Sequence, residues 1–152
     1  MKRILLIVAL SSFAFAQNIM IFPDLATGSE TQIQVNVEIE NADPFVGFQF
    51  DLPLDNELEY VSGTAILTDR SNGHAISSSI VNGNTLRLFA YSMSQTPFTG
   101  NSGVVCSFYL TTGTVPGNYP LTPVDPIIGN ANSQNILTGV TNGQITIQSP
   151  DI

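Results

Sequence analysis

FVGFQFDLPLD, residues 45–55, places three phenylalanines in eleven positions, and its reading decides the fold. Val46, Phe48, Phe50 and Leu52 alternate with Gly47, Gln49 and Asp51. Successive side chains of a strand point to opposite faces, so this period of two predicts a half-buried strand with one apolar side. The other side is small, amide and acid. Any function written into this strand lies on that bare side.

The same period recurs along most of the chain. Ile19 and Ile21 alternate, as do Ile33, Val35, Val37 and Ile39, and short runs follow at 58–61, 76–81, 86–91, 104–110, 119–128 and 140–147. Turn signals such as NADP, DRSNG, NGN, TGNSG, VPGN and TNG separate them. No helical stripe of useful length follows residue 16. About nine short strands with little charge predict an all-β, antiparallel sandwich. Its expected core includes Val35, Val37, Phe48, Phe50, Leu86, Leu88, Cys106, Phe108, Ile145 and Ile147. Pro120, Pro123 and Pro126 punctuate YPLTPVDPII, and proline donates nothing to a ladder, so this segment is expected on a sheet edge.

The chain opens MKRILLIVALSSFAFAQ. Lys2 and Arg3 precede an apolar run, and Ala14-Phe15-Ala16 has the small-x-small form of a cleavage site. Residues 1–16 read as a signal peptide and 17–152 as one domain, which predicts export to the cell surface or beyond, extracellular or periplasmic. The apolar run is too short to span a bilayer, so no membrane insertion is expected. Removing Lys2 and Arg3 takes the net charge from −8 to −10 and leaves Arg70 and Arg87 as the two expected surface cations, with no lysine. Nucleic acid is excluded as a partner, because its binding needs cations to displace counterions.

Catalytic groups are few. His74 is the single histidine, read as a solvated loop residue in DRSNGHA, and Cys106 is the single cysteine, read as a core thiol. Their dyad needs Cys106 to face outward, against the alternation. Asp69, Asn72 and Gly73 lack the spacing of a calcium loop, and Asp55, Glu57 and Glu59 read as a solvated rim. No metal or cofactor is expected in this domain, and no enzyme activity. In TLRLFAYS, residues 85–92, Leu86, Leu88 and Ala90 form a core face, which turns Arg87, Phe89 and Tyr91 outward. An arginine flanked by exposed rings has the composition of an interaction hot spot.

Taken in order, QIQVNVEIENA, VGFQFDLPLDNELEYVSG, NTLRLFAYS, SGVVCSFYL, PGNYPLTPVDPIIGNANSQNI and NGQITI resemble the cohesin domains of cellulosomal and related secreted bacterial proteins. The resemblance runs from about Ile19 to Ile147. It implies a nine-stranded jelly-roll sandwich that binds a dockerin, a small calcium-loaded helical module on another protein, often a carbohydrate-active enzyme. It also implies one flat binding sheet, built from the opening strand, residues 75–81, residues 85–91 and the proline-marked edge. Gly47, Gln49, Asp51, Ser77, Ser79, Arg87, Phe89 and Tyr91 are then the expected partner-binding residues, with calcium held by the partner.

Two other functions fit a sandwich of this composition. A carbohydrate-binding module stacks sugars on aromatic rings, usually tryptophan, and this chain has none. A fibre subunit polymerises edge to edge, which the prolines oppose. A monomer is expected.

Overall fold

The computed structural model describes residues 15–150. The signal-peptide reading falls almost wholly outside them. Thirteen short strands follow one another: β1 (Asn18–Ile21), β2 (Asp24–Thr27), β3 (Gln32–Asn41), β4 (Gly47–Pro53), β5 (Leu58–Tyr60), β6 (Ile66–Leu67), β7 (Ala75–Val81), β8 (Thr85–Tyr91), β9 (Val104–Thr112), β10 (Gly117–Leu121), β11 (Val124–Gly129), β12 (Gly139–Thr141) and β13 (Gly143–Ile147). The count exceeds the expected nine because two apolar runs break and two further strands, β2 and β6, lie outside the expected runs. Thr122 and Pro123 divide the run 119–128, and Asn142 divides 140–147.

Alternation becomes burial along β4, where Phe48, Phe50 and Leu52 are buried while Gln49 is exposed. β4 lies inside an antiparallel sheet of order β11-β4-β8-β7. Facing it is a six-stranded sheet of order β12-β1-β3-β9-β5, with β6 also on β9. The Phe50 ring joins the two layers. It meets Phe22 edge-on at 5.1 Å and Phe108 of β9 at 6.5 Å, centroid to centroid. Every residue expected in the core is buried. A smaller sheet, β10-β13-β2, adds Leu121, Ile145 and Ile147 to the same core.

The proline segment takes both its edges. β10, with Pro120, borders the three-stranded sheet, and β11, with Pro126, borders the four-stranded one. Pro126 sits in a register shift between Val124 and Ile127, where Asp125 has a φ of 48°. The extra residue bends the strand and spares the ladder a missing donor.

Arg70 is no surface cation. It is 9% exposed, and all five of its N–H groups are directed at oxygens. Nε donates to the Thr99 carbonyl, Nη1 to those of Ile39 and Gly103, and Nη2 to Asn41 Oδ1 and the Gly100 carbonyl, over 2.6–3.3 Å. A rigid five-donor fork fits such an acceptor set as no other side chain does. It fastens the loop before β9 to the end of β3. Its cation lies 5.6 Å from the centroid of Phe45, which stacks on Phe98.

His74 is likewise not the solvated residue expected. Its ring packs on Phe98 at 3.8 Å, Nδ1 accepts the Asn72 amide, and Nε2 is buried without a hydrogen-bond partner.

Candidate partner-binding face

Register, not sequence distance, assembles the outer face of the four-stranded sheet. β4 pairs β8 so that Gln49 stands opposite Phe89 and Asp51 opposite Arg87. β7 continues these rows with Ser77 beside Phe89 and Ser79 beside Arg87. β11 completes them with Ile127 beside Gln49 and Val124 beside Asp51. The result is two rows across four strands, Ile127-Gln49-Phe89-Ser77 and Val124-Asp51-Arg87-Ser79. Gly47 and Tyr91 lie at one end, with Gly129 and Ala75 beside them.

All eight residues singled out in the sequence thus share the outward phase of one sheet. Phe89 and Tyr91 are 38% and 40% exposed and stack on each other, with centroids 5.8 Å apart and planes at 26°. Ser77, Ser79, Gln49 and Arg87 are exposed, and Asp51 is half-buried.

Electrostatics here differ from expectation. Arg87 and Asp51 form a bidentate pair, Nε to Oδ1 at 2.8 Å and Nη2 to Oδ2 at 2.7 Å. The sequence reading left both charges for a partner, but opposite-charge side chains facing each other across a ladder satisfy one another first. The guanidinium hydrogen bonds hold the Asp51 carboxyl below its ordinary 3.8, and the carboxylate raises Arg87 further. The two side chains therefore present a neutral, pre-formed clasp at the surface. Asp51 keeps free lone pairs on both oxygens, since a carboxylate has about four acceptor sites.

Sequence reading missed the β11 residues of this face. Val124 is 46% exposed, and Asp125 joins Gln49, Asp51, Arg87 and Phe89 around a shallow basin of ≈ 390 Å³. The proline pattern had placed the segment on an edge, but the bulge puts Val124 and Ile127 on one face although they are three apart, which alternation cannot reveal. Gly47 has a structural reason of its own. A Cβ there would lie 2.8 Å from the Ala90 carbonyl oxygen, so only glycine lets β4 and β8 come this close.

The remaining candidates lie apart from this face. Cys106 is fully buried, and burial pushes its thiol pKa far up, away from the nucleophilic thiolate. Asp55 accepts the Glu57 amide, and Glu57 accepts the Val115 amide at 3.0 Å, so both carboxylates serve the local backbone. Among the described residues no three His, Cys, Asp or Glu side chains gather into a metal site. What the face offers is contact area, hydrogen-bond acceptors and one ion pair.

No protein-family model matches the chain, and no curated protein does. Solved structures do. A non-cellulosomal cohesin from the hyperthermophilic archaeon Archaeoglobus fulgidus superposes with a TM-score of 0.74 at 20% identity, covering 90% of this chain and 94% of its own. The seventh ScaB type I cohesin from Pseudobacteroides cellulosolvens gives 0.70 at 17% identity, over 90% of this chain and 95% of that one. A type I cohesin–dockerin complex from Clostridium thermocellum, Coh-OlpC with Doc435, gives 0.71 at 13% identity, over 91% and 97%. The fold is that of cohesin domains.

Proposed function

We propose that this chain is an exported, non-catalytic binding module that takes a dockerin-type partner on the outer face of the β11-β4-β8-β7 sheet. The observation that carries the reading is the stacked Phe89–Tyr91 pair, exposed beside the Arg87–Asp51 clasp in the middle of that sheet. Large rings held rigid on strands bury area at little entropic cost, and a flat sheet accepts a helix laid across it. Cohesin-fold structures solved with dockerins support the choice of partner. The partner's calcium would hold its own fold, and the domain described here would need none.

The test is capture of a panel of recombinant dockerins by immobilised residues 17–152, with calcium and with chelator. At least one dockerin should be retained with calcium and lost with chelator, while the melting midpoint of the isolated domain stays unchanged. Changing Arg87, Phe89 and Tyr91 together to alanine should weaken capture by about thirtyfold or more, as central arginine and aromatic anchors do. Undiminished capture by a folded triple variant places the site elsewhere.

A further inference from the structure

The two edges of the binding sheet are unlike. β11 is blunted by Pro126 and its bulge, and its outer side is covered: the Ile136 amide donates to the Ile128 carbonyl, and Ile128 donates to Asn135 Oδ1. β7 is the opposite. Seven residues long, it holds neither proline nor charge, and among the described residues its backbone pairs only with β8. Other border strands are short, as β5 and β12 are with three residues each, or carry proline, as β10 does. An open, uncharged edge of this length is a template for another strand.

The sequence of β7 says which strand. AISSSIV is symmetric about Ser78 in all but its end residues. If a second β7 pairs antiparallel with Ser78 opposite Ser78, then Ile76 meets Ile80, Ser77 meets Ser79, and Ala75 meets Val81. Each contact matches like with like, and opposed side chains lie on the same face. Ile80, 44% exposed at the rim of the core, gains an apolar neighbour. A two-fold interface requires such self-complementarity, and a peptide partner has no use for it.

We infer that β7 is a self-association edge, through which two copies of this chain join their four-stranded sheets into one of eight strands. The two-fold axis stands perpendicular to the joined sheet, so both outer faces look the same way. On the dockerin reading given above, the pair would present two binding faces side by side and hold a two-headed partner by avidity. The pairing itself does not depend on that reading. Each copy carries a net −10 over residues 17–152, so salt should strengthen it by screening their repulsion.

Sedimentation velocity of residues 17–152 alone, from low micromolar to millimolar concentration at low and high salt, measures the association without any dockerin. The expected result is a monomer–dimer equilibrium, tighter at high salt and lost in Ile80→Lys. A second measurement stands even if that variant fails to fold. Ser78→Cys should give a disulfide-linked dimer on mild oxidation, faster than Val124→Cys on the blunted edge, since native Cys106 is out of reach. A wild-type monomer at every concentration, with both cysteine variants crosslinking at one slow rate, overturns the inference. Since no dockerin is present, failure here leaves the partner reading standing, and failure of the partner reading leaves this result standing.

Discussion

Phe50 shows how much one residue's phase decides. It is 1% exposed between the two layers, its ring set against those of Phe22 and Phe108. Phe50→Ala should cost about 3–5 kcal/mol in chemical denaturation, because the void cannot fill; a loss below about 1 kcal/mol would contradict its place in the core. Its position was legible because alternation reports phase directly. His74 and Arg70 were not legible, since both lie in a polar turn segment whose burial comes from loops and strands distant in sequence. Burial lowers the pKa of His74 from 6.5, an effect that the nearby Thr96 and Val46 backbone only partly offsets. The unfolded chain then binds the proton more readily than the folded one, so stability falls as pH drops below 6.5 toward the lower folded value. The melting midpoint should therefore be lower at about pH 5.5 than at about pH 7.5, and His74→Phe, which keeps the ring on Phe98, should shrink the difference. An unchanged difference in that variant would assign the pH effect to other groups.

Strands tell a similar story one level up. The members of the candidate face could be read from sequence because each has the outward phase of its own strand. Their pairing could not, because period two is silent about which strands are neighbours and in what register. That is why Arg87 and Asp51 looked like two free charges when they are one clasp, and why β11 contributed no named residue. Gly47 is the element-scale counterpart. It reads as part of a bare face, yet its lack of a side chain sets the spacing of β4 against β8. Gly47→Ala should force the strands apart and lower stability by about 1–3 kcal/mol, the range for overpacking a tight site. Denaturation with an unchanged midpoint would mean that the ladder yields there at no cost.

At the scale of the whole molecule, first and last strands close the fold. β1 runs parallel to β12 and β2 parallel to β13, contacts between the two ends of the described chain. Such pairings are long-range and unreadable from local pattern, although the apolar phase of Ile145 and Ile147 already marked β13 as core. The same architecture decides where the two arginines of residues 17–152 end up. Arg70 is sealed among five oxygens, and Arg87 stands in the middle of β8 with a strand on either side. With no lysine in that stretch, these are the only two bonds that trypsin can recognise, and neither can enter a protease cleft while its strand or loop is in place. The folded domain should survive prolonged trypsin treatment and be cut after both arginines once urea passes the unfolding midpoint, so that gel electrophoresis reads global unfolding directly. Cleavage after Arg70 in native buffer would reveal that its loop opens alone. Fixing both basic residues of this stretch within the fold leaves a basic-site protease nothing to grip until the fold opens.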